Sequence, residues 1–228
     1  MTVRFDATEG GFGAAPKFPR PSELIFLFTE AERVGSDSPA GRRAREMALF
    51  TLEKMAAGGI HDHLGGGFHR YSVDGGWHVP HFEKMLYDQA QLAEAYLIAW
   101  QVTGRELFAD TARDIFDYVL RDMTSPEGGF YSAEDADSVV RAGFKEKAEG
   151  AFYVWTEKEI LAELGEAEKE FAWVYGVESG GNTSRESDPH GEFRGKNVLI
   201  QRHTMAEAAA KFGVSEEVMA KGLAASRK

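Results

Sequence analysis

The chain has 228 residues, of which 43% are hydrophobic and 28% are charged, and its formal net charge is −11 at pH 7. This composition supports a buried core, and the acidic excess excludes a general nucleic-acid or anionic-membrane surface. Because the chain has no cysteine, it has no disulfides, zinc–thiolate sites or thiol nucleophiles. No apolar run approaches the roughly 18 residues of a membrane span and no signal peptide is visible, so we expect a cytoplasmic protein with no membrane partner.

Apolar residues at helical spacing predict four helices in the first half of the chain. Serine and proline are favoured at helix N-termini, and glycine ends a helix because it accepts a left-handed conformation. The expected helices run from Ser22 to about Arg33, from Ser38-Pro39 to about Ala57, from Pro80 or His81 to Gly104, and from Phe108 to Met123.

The second half of the chain mixes helix starts with β-prone stretches. Thr156 with Glu159 and Thr204 with Glu207 have the spacing of capping boxes, so each pair predicts a helix. Aromatic and β-branched residues predict short extended pieces over 130–132, 151–155 and 197–200.

A weak repeat organises the chain: Gly-Gly-Phe occurs at 10–12, 66–68 and 128–130, with a looser copy at 150–152. Two helices and a loop lie in each interval, which is typical of repeated αα-hairpins. If the hairpins close into a ring, the Gly-Gly-Phe loops would share one rim. The alternative is that Gly-Gly supplies only a tight turn and that Phe fills the gap between hairpins.

Three longer motifs carry a family resemblance. The runs 11–19, 59–89 and 128–138 resemble signatures of the thioredoxin-domain-containing proteins of the spermatogenesis-associated protein 20 type. The resemblance extends from about Phe5 to Lys196. It implies a mainly α fold, an (α/α)6 toroid similar to those of six-hairpin glycosidases and N-acylglucosamine 2-epimerases, with short β-hairpins on one rim.

The chain departs from this family in two ways. It has no thioredoxin-like segment and no Cys-x-x-Cys motif, and it has fewer helices than a closed toroid needs. We therefore expect residues 1–228 to form an incomplete toroid portion that lacks the thioredoxin-like domain and the C-terminal part of the ring. Exposed toroid edges would favour self-association.

Five of the seven histidines fall between positions 61 and 81. At the exit of that loop, His78, His81 and Glu83 are candidate catalytic residues, because a helix N-terminus keeps an imidazole neutral and able to accept a proton. The next rim loop offers Asp135 and Asp137, since converging carboxylates can divide the roles of general acid and base or nucleophile, or hold a hard cation. The alternatives are a helix cap with a first-turn acid, and a solvated acidic turn.

Candidate substrate-binding residues share an aromatic ring or a hydrogen-bonding side chain near these loops. The aromatic members suit stacking on a sugar and are equally suited to the core. His61 and His63 could bind a metal, but no third ligand is evident, so we expect no metal and no cofactor. The set is His61, His63, Arg70, Tyr71, Trp77, Tyr87, Tyr131 and Trp155.

These residues and the resemblance together predict a carbohydrate-related toroid with a sugar or glycan ligand. Its chemistry would be acid–base, either epimerisation by proton abstraction next to a carbonyl or cleavage of a glycosidic bond. The alternative is a non-enzymatic scaffold that docks a partner or a thioredoxin-like domain. A prenyl-binding toroid with Mg²⁺ at the acidic turn is a third alternative, but further acidic clusters for a diphosphate are lacking.

Overall fold

The computed structural model describes residues 4–140 and 143–227, and within these ranges eight α-helices alternate with short antiparallel strand pairs. The helices are α1 Pro21–Arg33, α2 Pro39–Ala57, α3 Leu86–Thr103, α4 Glu106–Asp122, α5 Glu157–Leu164, α6 Glu168–Val174, α7 Met205–Phe212 and α8 Glu216–Ser226. The strands are β1 Tyr71–Ser72, β2 Pro80–His81, β3 Lys84–Met85, β4 Ala133–Glu134, β5 Asp137–Val139 and β6 Lys147–Glu149.

The first four helices form two packed pairs, α1 with α2 and α3 with α4, and α1 also packs on α3. Alanines on the buried faces of α2 and α3 let the helices approach closely around larger apolar side chains such as Leu24, Leu52 and Phe68. Ser38 caps α2 by accepting a hydrogen bond from the backbone N–H of Gly41. Gly104 ends α3 with φ 67°. Both boundaries confirm the sequence prediction, whereas α1 begins at Pro21 rather than after a Ser22 cap.

Helices α5 to α8 enclose a second apolar core around Phe171, Val174 and Met219. Thr156 and Thr204 each form the predicted capping box with the glutamate three residues later. The mainly α class and the short strand pairs are therefore confirmed. No helix in the described ranges is long and apolar enough to cross a membrane.

The three Gly-Gly-Phe copies have the same local structure. In each copy the phenylalanine forms an antiparallel bridge with a residue just upstream, in the pairs Phe5–Phe12, His61–Phe68 and Thr124–Phe130. Phe12 and Phe68 are buried, but Phe130 is 56% exposed. The repeat is thus a repeated loop structure, and only its first two copies fill the core.

The prediction that the third helix opens at Pro80 or His81 is wrong, because the chain stays extended to Met85. Tyr71 pairs with His81, and Lys84 pairs with Glu134, in two short antiparallel ladders. Burial alternates from His81 to Met85: the side chains of Phe82 and Lys84 are buried, and those of His81, Glu83 and Met85 are partly exposed. His81 and Glu83 therefore do not lie at a helix N-terminus, and the helix dipole does not act on them as expected.

Two predicted extended pieces are also corrected. Residues 130–132 form one bridge and then a bend, and 151–155 are mostly turn. Within 151–155 the Tyr153 ring contacts His69 and Phe82 across the loops. Trp155 and Asn197 nevertheless form an antiparallel bridge, which joins the second and third of these pieces.

Candidate active site

The extended segment 79–85 separates two polar regions, because successive side chains point to opposite sides. On one side lies a group of eight residues that we name the His81 cluster. On the other side lies a cavity that we name the Phe82 cavity. The His81 cluster comprises Phe18, Arg70, Tyr71, His81, Glu83, Tyr87, Asp88 and Glu149.

His81 is held from both sides in the cluster. Its Nδ1 lies 2.6 Å from Oε1 of Glu149, and its Nε2 lies 3.9 Å from Oε2 of Glu83. Because a carboxylate can only accept, Nδ1 carries the proton in the neutral ring and Nε2 carries the lone pair. The ring also stacks on Tyr71 at 5.0 Å, and Tyr71 stacks on Phe18 at 4.7 Å.

Charges of both signs converge beside His81. Arg70 donates from Nη1 to Oε2 of Glu83 at 2.8 Å. Asp88, in the first turn of α3, is 8% exposed and interacts electrostatically with Arg70 and Glu83. The pKa of Asp88 is raised to about 6, mainly by burial; the Arg70 guanidinium opposes the rise and the Glu83 carboxylate adds to it. The cluster therefore contains a carboxyl group that exchanges its proton close to neutral pH.

The Phe82 cavity has a volume of about 820 Å³ and lies between the 59–69 loop, the 151–155 turn and the 196–199 stretch. His61, His63 and Trp155 line it, as do His69 and Tyr153. Beneath its floor Lys84 donates to Oδ2 of Asp62 at 2.7 Å and to the carbonyl of Gly66 at 2.8 Å. This buried ion pair and its hydrogen bonds fix the glycine-rich loop.

Several titratable groups around the Phe82 cavity have shifted pKa values with identifiable causes. Burial raises the pKa of Asp62, but the opposing contributions, led by the Lys84 ammonium and its hydrogen bond and including the Gly65 N–H, together hold that pKa below its usual range. Burial and a hydrogen bond to Glu134 raise the pKa of Tyr118. Burial likewise raises the pKa of Tyr153. These phenols stay protonated and serve as hydrogen-bond donors.

The structure brings together five of the predicted site residues, which belong to the His81 cluster: Arg70, Tyr71, His81, Glu83 and Tyr87. Three others, His61, His63 and Trp155, line the Phe82 cavity. His61 is also anchored, since its Nδ1 faces the carbonyl of Ala56 and its Nε2 faces Asp114.

The other predicted site residues lie elsewhere. Trp77 is fully buried and donates from its indole nitrogen to the carbonyl of Glu9, so it is a core residue and not a surface for a ligand. His78 lies beside Asn182 and Val198, and burial lowers its pKa. Tyr131 is half exposed and does not line the cavity.

Asp135 and Asp137 do not supply the carboxylate that His81 contacts. Asp135 is exposed and lies 3.8 Å from Lys147. Asp137 is also exposed, and its Cα partner across the β5–β6 pair is Glu149. Glu149, which lies outside the predicted 128–138 loop, supplies that carboxylate from β6, the strand that pairs with β5.

The residues that sequence reasoning missed are Phe18, Asp88 and Glu149 in the His81 cluster and Lys84 beneath the cavity. Apolar and polar residues alternate over 80–83, and this strand-like spacing was a usable signal, since it places His81 and Glu83 on one side and Phe82 on the other. Lys84 breaks the alternation and is not indicated by it. No pattern in the sequence around Glu149 indicates that it belongs to the His81 cluster. In the described part of the chain no group of three or more histidines or carboxylates is placed to hold a metal ion.

The fold and the two regions define a mainly helical protein with polar sites built on the loops between helix pairs. Human spermatogenesis-associated protein 20 is 50% identical over 227 residues, which cover 94% of this chain and 28% of that protein. An uncharacterised protein of Caenorhabditis elegans is 43% identical over 228 residues, covering 96% of this chain and 31% of that protein. The chain belongs to this family as a homologue of one segment, and it spans less than a third of those relatives. No family model matches.

Two solved structures are similar over part of the chain. Cellobiose 2-epimerase from Bacillus thermoamylovorans is 19% identical, with a TM-score of 0.47 and coverage of 59% of this chain and 36% of that one. A sugar epimerase from a ruminal bacterium is 15% identical, with a TM-score of 0.48 and coverage of 73% and 44%.

Proposed function

We propose that the His81 cluster is an acid–base site that moves a proton on a carbohydrate substrate, at the carbon next to a carbonyl group. The observation that carries the proposal is the Glu149–His81 pair, whose free ring nitrogen faces Glu83 beside the buried carboxyl of Asp88. Removal and return of such a proton is the elementary step of sugar epimerisation and isomerisation.

In this proposal Nε2 of His81 is the base. Nδ1 donates to Glu149, so the lone pair of the neutral ring lies on Nε2. When Nε2 takes the proton, the Glu149 carboxylate stabilises the imidazolium that forms, as the carboxylate of a catalytic triad does.

Asp88 and Arg70 complete the proton and charge balance. As the C–H bond breaks, its electron pair forms an enediol double bond and the carbonyl oxygen gains charge. Asp88, whose pKa is raised to about 6, donates a proton to that oxygen, and the Arg70 guanidinium stabilises the charge. The step is completed when His81 returns its proton to carbon and Asp88 takes back the proton of the enediol hydroxyl group, which restores the C–H bond, the carbonyl group and both side chains. Return to the same face regenerates the sugar, and return to the opposite face, after the enediol turns over in the site, gives its epimer.

Aromatic side chains supply a surface for the sugar ring. Phe18 and Tyr87 are 41% and 46% exposed, and Phe18 extends the stack formed by Tyr71 and His81. Such faces suit the C–H face of a pyranose, while Arg70 and Glu83 can hydrogen-bond its hydroxyl groups.

The proposal is tested by incubating the chain in D₂O with a panel of reducing mono- and disaccharides. We expect deuterium at the carbon next to the carbonyl of at least one sugar, detected by NMR and mass spectrometry, and a thermal shift with that sugar. His81→Gln should abolish the exchange while the protein still folds.

The matched control is His190→Gln, since His190 is exposed and lies outside the His81 cluster. It should exchange deuterium as the parent chain does. Absence of exchange and of any thermal shift across the panel would overturn the proposal and favour the non-enzymatic scaffold.

A further inference from the structure

The Phe82 cavity has no part in the chemistry proposed for the His81 cluster, because the extended segment 79–85 lies between them. Its volume of about 820 Å³ is in the range of small-molecule sites, roughly 300–1,000 Å³.

Two buried imidazoles form part of the floor. Nε2 of His63 lies 3.0 Å from the carbonyl of Gly58, and Nδ1 of His69 lies 3.0 Å from the carbonyl of Phe82. Since a carbonyl only accepts, these two nitrogens carry the ring protons. Burial lowers the pKa of both rings to about 3, so both are neutral at pH 7.

The second nitrogen of each ring is an acceptor that the cavity exposes. In the part of the chain that the structure describes, Nε2 of His78 is the one side-chain nitrogen that is both fully buried and without a hydrogen-bond partner. The free nitrogens of His63 and His69 are therefore reached by solvent, although the two residues are 9% and 2% exposed and both line the cavity. A ligand has to offer O–H or N–H donors here, because an apolar ligand would leave buried lone pairs unsatisfied.

Most charged groups at the cavity are already paired, and Glu163 is the exception among the described residues. Lys84 pairs with Asp62, Arg121 with Asp122 and Lys196 with Glu159. A charged ligand would have to compete with these contacts. The nearby Lys84 and Arg121 oppose a cation, and exposed Glu163 in the wall opposes an anion.

The walls add aromatic faces to this neutral, donor-seeking floor. Phe152 is 72% exposed, and Tyr153 and Trp155 line the same wall. A ligand with hydroxyl donors, no charge and flat C–H faces satisfies both surfaces. We propose that the Phe82 cavity binds a neutral oligosaccharide, as a second site separate from the His81 cluster. The cavity residues alone carry this proposal, so it holds whether or not the cluster is catalytic.

The test is calorimetric and fluorescence titration of the chain with maltotriose and with cellotriose. We expect saturable binding of at least one, with a change in tryptophan emission that Trp155→Phe removes. Phe152→Ala, at an exposed position that folding tolerates, should weaken binding about tenfold. Phe130→Ala is the matched control, because that phenylalanine is exposed but does not line the cavity.

His81→Gln separates this proposal from the acid–base function, since it should remove deuterium exchange and leave trisaccharide binding unchanged. Three results would overturn the second site. They are no binding of either trisaccharide, equal affinity in Phe152→Ala and the parent chain, and binding of adenosine in place of the sugars.

Discussion

Glu149 accepts a hydrogen bond from Nδ1 of His81 at 2.6 Å, across 68 residues of sequence. The same carboxylate oxygen lies 3.3 Å from the backbone nitrogen of Phe82. Gly150 follows, and a Cβ on it would come within 2.5 Å of the Phe82 ring, so the β5–β6 hairpin closes tightly on this segment. The orientation of the His81 ring therefore depends on that hairpin.

Glu149→Gln should weaken the preference of neutral His81 for the tautomer that carries its proton on Nδ1. The amide can still accept a hydrogen bond but has no negative charge, so the preference for a proton on Nδ1 falls. We expect ¹⁵N NMR of the histidine side chains to show a single Nδ1–H tautomer for neutral His81 in the parent chain and a mixture in the variant. Deuterium exchange into sugar should fall by about 10²-fold, the usual contribution of such a group.

Glu146→Gln is the matched control for this variant, because Glu146 is an exposed residue beside the same strand. Its NMR spectrum should match that of the parent chain. A single Nδ1–H tautomer in Glu149→Gln would show that Glu149 does not determine the tautomer of the His81 ring.

Asp88→Asn should stabilise the chain at pH 7 and above. Burial raises the folded-state pKa of Asp88 to about 6 from 3.8, so the folded state binds its proton more tightly than the unfolded state. This residue's contribution to the free energy of unfolding therefore falls as pH rises from about 4 to about 6. At about 1.4 kcal/mol per pKa unit, the variant should gain about 3 kcal/mol at pH 7.5.

Urea denaturation of the parent chain and Asp88→Asn between pH 4 and pH 8 measures this difference. The gain should vanish near pH 4, where the parent carboxyl is protonated in the folded state. A gain that is the same at every pH would show that Asp88 is not the titrating group. Loss of deuterium exchange in the stabilised variant would indicate that the buried carboxyl group is needed for activity even though it lowers the stability of the fold.

The sequence predicts several helix boundaries from local signals, although the serine signal at Ser22 places the start of α1 one residue late. Ser38-Pro39, Gly104 and the two capping boxes act through backbone groups within a few residues, and all four are confirmed. The start of α3 was missed because the apolar residues before it fit a helix and a strand about equally. Pairing of Lys84 with Glu134, far along the chain, decides between them.

For the candidate site too, only the part that depends on nearby residues was predictable from the sequence. His81, Glu83, Arg70 and Tyr71 lie close together in sequence, and their proximity in the fold follows from one short strand pair. Glu149 and Phe18 reach His81 and Tyr71 from distant loops, which no local pattern encodes. Trp77 was misassigned because an aromatic residue in a polar loop has the same composition signal whether it is exposed or buried.

Lys84→Met should destabilise the chain strongly. The side chains of Lys84 and Asp62 are 1% and 9% exposed, so removing the ammonium leaves a buried carboxylate without its partner. Breaking a buried pair in this way costs about 3–5 kcal/mol. Chemical denaturation at pH 7 measures it, and Lys54→Met, at a more exposed pair with Glu9, should lose less than about 1 kcal/mol.

The pH dependence of the stability of Lys84→Met shows whether the loss of stability comes from the unpaired Asp62 carboxylate. In the parent chain the pKa of Asp62 lies below its usual range, so its stabilisation is present above about pH 4 and is lost as pH falls further. In the variant, burial favours the protonated acid, so acidification relieves the penalty. The gap between the two proteins should narrow from pH 7 to pH 4, and a constant gap would point to lost packing instead.

Gly67→Ala and Gly128→Ala test the two roles of the Gly-Gly-Phe loops. Both glycines have positive φ, 73° and 87°, so alanine strains the backbone at each by about 1–2 kcal/mol. Only at Gly67 would the new Cβ meet neighbours, at 2.5 Å from the Tyr118 ring and 3.0 Å from Oε1 of Gln89, which also accepts from the N–H of Phe68. Overpacking there adds about 1–3 kcal/mol. Urea denaturation should show the larger loss for Gly67→Ala, and equal losses would mean that the loop beside Tyr118 yields to the extra methyl group.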